Sequence, residues 1–246
     1  MTPQRITIPS VRKGDIPALV LDPRLGAALD FLRGGVMADV GTDHAYLPIA
    51  ALQRGLATFA IATDIHKGPA EVAAAHLAAN GLGKERAAVL LTDGLHGAEG
   101  YCPTDVCIFG MGGEMIARII DEAPWVRTPS VRLILQPMTK QDVLRDYLAQ
   151  NGFCVVCERL VKTDRIYTLL CAEFDGQART LSPLERLIGK DNLERGDALT
   201  REWICRHVEI LTATRKGKQK GNAPDTSRED ALIFELTRYL EQHTED

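Results

Sequence analysis

The sequence lacks what several large classes of protein need. No apolar run approaches the roughly 20 residues that a membrane-crossing helix requires, and residues 1–10 have no apolar core of the kind a secretory signal carries. A cytoplasmic protein is therefore expected. A strongly basic balance is also missing. The 29 Lys and Arg residues stand against 33 Asp and Glu, for a formal net charge of −4, so any nucleic-acid contact must come from local patches. Six cysteines are present, yet no second pair complements Cys154-Val155-Val156-Cys157 at zinc-site spacing. That segment reads as a strand, where residues three apart point to opposite faces. Reduced, structural thiols and no metal centre are the expectation.

A further absence sits in the most informative stretch of the chain, Asp39-Val40-Gly41-Thr42-Asp43-His44-Ala45-Tyr46-Leu47-Pro48. It follows an apolar, strand-like run at 36–38 and leads into a helix-like one from 49. A strand, a tight turn and a helix form a cofactor cradle, but the dinucleotide fingerprint needs three glycines to let the backbone approach a pyrophosphate. Here only Gly41 is present, and Asp43 stands where a phosphate would be repelled. The next strand-like run ends in Asp64, followed by Ile65, at the distance where a ribose-binding carboxylate is found. A cofactor with a sugar and a positive centre but no phosphate fits this pattern, and S-adenosylmethionine has that chemistry. The alternative is an ordinary βα turn with incidental carboxylates.

From Pro23 onward strand-like and helix-like segments alternate. Strands are predicted at 36–40, 58–63, 87–91, 105–109 and 131–135, apolar on both faces as covered parallel strands are. Helices are predicted at 45–54, 69–80, 114–122 and 140–150, with Gly68-Pro69 as a start signal and Asn80-Gly81 as a stop. The segments 153–160 and 165–174 are close enough to form a hairpin. The fold class is thus α/β, an open doubly wound sheet of the Rossmann-like methyltransferase type, over residues 1–176. Residues 177–246 read as a helical hairpin, with apolar stripes from Leu184 to Leu211 and over 231–240. Between them residues 215–224, rich in Lys and Gly, read as a flexible basic tip. It serves either as a phosphate-contacting arm carrying Lys216, Lys218 and Lys220 or as a solvated loop.

Three more positions could carry chemistry. Asp93-Gly94 follows the third strand, where the Asp could accept from an adenine amino group or simply make a turn. Gly110-Met111-Gly112-Gly113 ends the fourth strand, where doubly wound sheets bind ligands. The Asn/Asp-Pro-Pro-aromatic motif of enzymes that methylate exocyclic adenine nitrogens is absent there. His44 could act as general acid or base or orient the loop. Tyr46 could stack on a base or pack the helix.

These residues resemble those of the bacterial tRNA (adenine-22-N1)-methyltransferases. The resemblance rests on Arg24-Leu25, the stretch from Asp39 to Pro48, Asp64 with Gly68-Pro69, Asn80, Asp93-Gly94, Gly110-Met111-Gly112-Gly113 and Gln136-Pro137. Met138 stands where the family tends to have Asn, and the helical tip looks longer than the family's. The resemblance implies methyl transfer from S-adenosylmethionine to adenine N1 in tRNA. It implies a cofactor held by Asp39, Gly41, Asp43, Asp64, Ile65, Asp93, Gly94, Gly110, Met111 and Gly112. It implies tRNA held by Arg24, Tyr46, Gln136, Pro137 and the three lysines of the tip. Asp43, His44 and Tyr46 are the catalytic candidates, with Asp43 either stabilising the cationic product or binding only the cofactor. A monomer or weak dimer without membrane or metal partners is expected. The alternatives are a methyltransferase of the same fold acting on a small molecule or a protein, and a non-catalytic cofactor-sensing module.

Overall fold

The structure, a computed structural model, describes residues 2–10, 19–42, 44–221 and 225–243. Its elements run β1 (Gln4–Ile6), α1 (Pro23–Leu29), β2 (Val36–Val40), α2 (Tyr46–Gln53), β3 (Phe59–Asp64), α3 (Lys67–Ala79), β4 (Ala87–Leu91), β5 (Asp105–Gly112), α4 (Gly113–Asp121), β6 (Arg132–Thr139), α5 (Gln141–Gln150), β7 (Phe153–Lys162) and β8 (Ile166–Phe174). Four helices follow: α6 (Pro183–Ile188), α7 (Lys190–Arg195), α8 (Ala198–Lys220) and α9 (Ser227–Gln242). All the strands join one sheet in the order β1-β4-β3-β2-β5-β6-β8-β7.

The strands β4, β3, β2, β5 and β6 are parallel neighbours, and β6 pairs antiparallel with β8, which pairs antiparallel with β7. The five predicted parallel strands and the closing hairpin are all found. The chain winds outward from β2 in both directions, so β2 is the switch point where the crossovers leave for opposite faces. One face packs against α1, α2 and α3. There α3 presents Ala70, Ala73, Ala74, Leu77 and Ala78, small side chains that bring the helix close to the sheet. The other face packs against α4 and α5 through Ile116, Ile120, Leu144 and Leu148.

The structure departs from the sequence reading in several places, among them helix α1, which that reading does not include. Strand β1, not anticipated, adds antiparallel to β4; its three residues are too few for a periodicity to show. Strands β5 and β6 run on through Gly112 and Thr139, so Gly110, Met111, Gly112, Gln136 and Pro137 belong to the sheet's rim rather than to loops. The C-terminal unit has four helices rather than two. The stripe from Leu184 breaks at Gly189, whose φ of +98° favours glycine and where a Cβ would collide with the Glu158 carboxylate. It breaks again at Gly196, before Asp197 caps α8 by accepting from the Thr200 amide. The expected flexible tip is helical: Lys216, Lys218 and Lys220 lie in the last turns of α8. Lys218 donates to Glu229 at 2.9 Å, which fastens α8 to α9. Residues 222–224 of that tip lie outside the described residues.

The helical unit docks on the sheet through a buried cation. Arg145, on α5, is 1% exposed, and its Nε donates to the buried Glu158 of β7 at 2.7 Å. Its Nη atoms donate to the carbonyls of Arg186, Leu187 and Ile188 at 3.0–3.2 Å, the open C-terminal end of α6. Asn192 of α7 donates to the second Glu158 oxygen at 2.9 Å. Every strong donor and acceptor here has a partner, the condition on which a buried pair is tolerated. Arg145→Met takes the counter-charge from the buried Glu158, which keeps only Asn192, and leaves the carbonyls of Arg186 and Leu187 without their donor. It is expected to lower unfolding free energy by roughly 3–5 kcal/mol, read as a shift of the urea midpoint; an unchanged midpoint would remove this network from the fold's stability.

Candidate functional site

The site lies where β2, β3, β4 and β5 end. The turn after β2 is pinned to its neighbour: the amides of Gly41 and Thr42 donate to the Thr63 carbonyl at 2.8 and 3.0 Å. Gly41 has a φ of +74°, and a Cβ there would run into Met111 Cε. Ala45, the residue before α2, also sits in the left-handed region at φ +54° while 1% exposed. A non-glycine residue held there costs of order 1 kcal/mol or more, which marks this turn as a shape imposed by its surroundings. Asp43 lies outside the described residues.

Two cavities open on either side of Gly41. The first, about 350 Å³, is lined by Arg24, Asp39, Gly41, His44, Tyr46, Gly110 and Gln136. The second, about 330 Å³, is lined by Gly41, Asp64, Ile65, Asp93, Gly94 and Met111, with Met115 and Arg118 from α4. Val40 and Gly41 border both. The structure thus brings together, around one turn, every candidate read from the ends of the first three parallel strands except Asp43. Gly112 and Pro137 line neither cavity; they face each other's strands across the β5–β6 pair, beside a bulge at Gly110–Gly112. Lys216, Lys218 and Lys220 line neither cavity.

The chemistry of the lining favours a cationic, sugar-bearing ligand. Asp39 is 7% exposed, and burial pushes its carboxyl up to about 7, with the Thr42 side chain offsetting this in part. A cationic group in the first cavity would restore its charged form. Asp64 accepts from the His66 amide at 2.7 Å, which fixes its rotamer at the rim of the second cavity. Asp93 is held by Arg118, whose Nη atoms donate to its two oxygens at 3.2 and 3.4 Å. An adenine amino group would share that carboxylate with the arginine. Arg24 is aimed by its own helix cap: its Nε and Nη2 donate to Asp22 at 2.9 and 3.0 Å, holding that carboxyl below its usual range.

The structure adds two residues that sequence reading missed. His76, on α3, completes a ring cluster with His44 and Tyr46: His44 stacks on both at centroid distances of 5.1 Å. The Nδ1 of His76 donates to the His44 carbonyl at 3.2 Å. Arg118 closes the second cavity. Neither had a local signal; His76 stands among alanines on a helix, and Arg118 reads as a solvated position on the amphipathic α4.

A doubly wound sheet with a carboxylate-lined double cavity at its switch point defines a nucleoside-cofactor protein of Rossmann type. A family model described as a methyltransferase domain matches residues 21–170. The Bacillus subtilis tRNA (adenine(22)-N(1))-methyltransferase is 34% identical over 157 residues, 63% of this chain and 66% of that protein, just under two thirds of its length. Among solved structures, the B. subtilis m1A22 tRNA methyltransferase TrmK is 29% identical with a TM-score of 0.75, over 93% of this chain and 99% of that one. Streptococcus pneumoniae Sp1610, solved in complex with S-adenosyl-L-methionine, is 31% identical with a TM-score of 0.76, over 88% of this chain and 99% of that one. The chain belongs to the methyltransferase-domain family, in the group of the tRNA (adenine-22-N1)-methyltransferases. Among the described residues no helix is long and apolar enough to cross a membrane, and no cluster of three or more His, Cys, Asp or Glu side chains could hold a metal ion.

Asp39 sets a pH dependence. Its carboxyl rises from 3.8 to about 7 on folding, so the folded chain holds a proton that the unfolded chain has released. The stability involved is present in full below about pH 4 and lost as pH rises through about 7. Asp39→Asn should leave thermal stability unchanged at pH 4 and raise it at pH 8 by up to about 4 kcal/mol. Thermal melts of the ligand-free protein at the two pH values decide this, and an equal effect at both would contradict it.

Proposed function

We propose that this protein transfers the methyl group of S-adenosylmethionine to N1 of adenine 22 in tRNA, in the cytoplasm. The observation that carries the reading is the double cavity around Gly41, with carboxylates on both sides and no phosphate-binding glycine pattern, in a chain 34% identical to a tRNA adenine-N1-methyltransferase. The residues fit the cofactor. Asp64 and Ile65 receive the ribose in the second cavity. Asp93 and Arg118 meet the adenine, and Asp39 faces the cationic amino-acid end in the first. S-adenosylmethionine supplies an activated methyl group, so the protein's task is alignment.

The first cavity has the features an acceptor adenine needs. N1 lies on the pairing edge, so the base must leave its helix before it can react. The stacked rings of His44, Tyr46 and His76 offer it a platform, and Tyr46 is 41% exposed. Gln136 is 1% exposed, and its Nε2 donates to the Pro137 carbonyl at 3.0 Å. Its Oε1 is then the end of the amide left to accept from an exocyclic amino group. N1 of neutral adenine carries a lone pair and no proton, so no base has to act before attack. The product base is cationic, and a carboxylate beside it lowers the barrier by stabilising that charge. Asp43 is the candidate from the sequence; Asp39 lines the same cavity.

Two measurements test the reading. Labelled S-adenosylmethionine incubated with unmodified tRNA should yield 1-methyladenosine, and a transcript with guanine at position 22 should accept none. Incorporation into a protein or small molecule but not tRNA would replace tRNA as the acceptor. Asp64→Ala should weaken cofactor binding by about 1.5–3 kcal/mol, roughly 10- to 150-fold, in a calorimetric titration. Unchanged affinity would take Asp64 out of the site.

A further inference from the structure

An opening of about 760 Å³, larger than either cavity beside Gly41, lies apart from them. It is a cleft between the ends of β6 and β7, the turn into β8, and the first half of α8, with Trp203 among its lining residues. Four cations line it: Lys140, Lys162, Arg165 and Arg206. Two of these are neutralised, Lys162 by Glu202 at 2.7 Å and Arg206 by Glu209 at 3.2 Å. The other two are available. Lys140 makes no ion pair among the described residues. Its backbone is held at φ +58°, with its carbonyl packed where Gly113 lacks a Cβ. The Nε of Arg165 donates to Tyr167 Oη at 2.8 Å, and its nearest carboxylate oxygen, on Asp164, is 3.9 Å away. The indole N–H of Trp203, a residue 8% exposed, has no acceptor among the described residues.

The cleft and the first cavity meet at Tyr167, whose ring both arginines approach. The guanidinium of Arg24, which lines the cavity, lies 4.5 Å from the Tyr167 ring centroid, and that of Arg165, which lines the cleft, lies 5.0 Å from it. Met138, at the cleft's edge, sets its sulfur 3.5 Å from Gln136 Nε2 and 3.8 Å from Arg24 Nη1. A polymer with one base in the cavity would therefore run its backbone over this partition.

We propose that the cleft receives the RNA strand flanking the target adenine, with Arg165 and Lys140 contacting its phosphates and the Arg24–Tyr167–Arg165 stack setting the step between flanking strand and inserted base. This rests on the tRNA reading above. It places the RNA backbone beside the first cavity, over side chains that do not include the three lysines at the end of α8.

The test measures tRNA affinity of the full chain at several salt concentrations. Arg165→Ala and Lys140→Ala should each weaken binding by roughly 3- to 10-fold at 0.1 M salt. Each should also reduce the slope of log K against log salt by about 1, and the double variant by about 2. Arg165→Lys should keep the slope but not the full affinity, because a lysine retains the charge and loses the planar stack. Cofactor affinity should not change in any of them. If wild-type protein methylates tRNA and the variants bind tRNA with unchanged affinity and slope, the cleft assignment is overturned and the enzyme reading stands. A loss of cofactor affinity matching the loss of tRNA affinity would make these residues structural and also overturn it. If wild-type protein neither binds nor methylates tRNA, both fall together.

Discussion

Strand β2 has parallel partners on both sides, β3 and β5, and the chain leaves it in opposite directions. That constraint shapes the rest of the molecule. Crossovers from the two halves must cover opposite faces of the sheet, so no helix lies across the carboxyl end of β2 and a crevice remains there. The turn that fills it has to pass close to Met111 on one side and Thr63 on the other, which explains a glycine at position 41 and a left-handed alanine at 45. The two cavities are the two halves of this crevice, divided by that turn.

The crevice brings three carboxylates together, one of them buried. Asp39 is buried with no cation at its side among the described residues, and burial raises its pKa. Asp93, by contrast, already has Arg118, and Asp64 is braced by a backbone amide. The three carboxylates therefore differ in what they can offer a ligand: Asp39 a charge to be restored, Asp64 a fixed acceptor, Asp93 a shared one. A cofactor that is cationic at one end and a neutral nucleoside at the other matches that gradient without any phosphate.

The helical unit depends on a different device. Arg145 satisfies the open end of α6 and Glu158 at once, while Glu158 also takes Asn192 from α7. With α6 and α7 seated in this way, Trp203 and Ile204 of α8 pack beside Leu160 at the end of β7. That packing forms one wall of the large cleft. The wall that α8 gives the cleft thus depends on a buried ion pair between α5 and β7, a coupling that no local run of residues expresses.

Much of the fold was legible because it rests on local rules. Apolar runs of five residues between glycine- and proline-marked helix ends identified the parallel strands in order, and Gly41 with Asp39 and Asp64 located the crevice. The apolar spacing of the stripe from Leu184 is continuous and reads as one element, whereas the break falls at Gly189, where a Cβ would meet Glu158, 31 positions earlier. The basic residues near 216–220 looked like a loop because glycine and lysine suit one. Packing of α8 on α9, with Lys218 bound to Glu229, makes them helical instead. The sequence by itself determined the five parallel strands, the hairpin after them and the type of cofactor chemistry, since each depends on residue types within a few positions of one another. The tertiary structure alone decided which charges are buried, that His76 joins His44 and Tyr46, that Arg118 claims Asp93, and that Arg24 and Arg165 share one tyrosine. Those depend on distances between residues far apart in the chain, and only the packed sheet and helices set them.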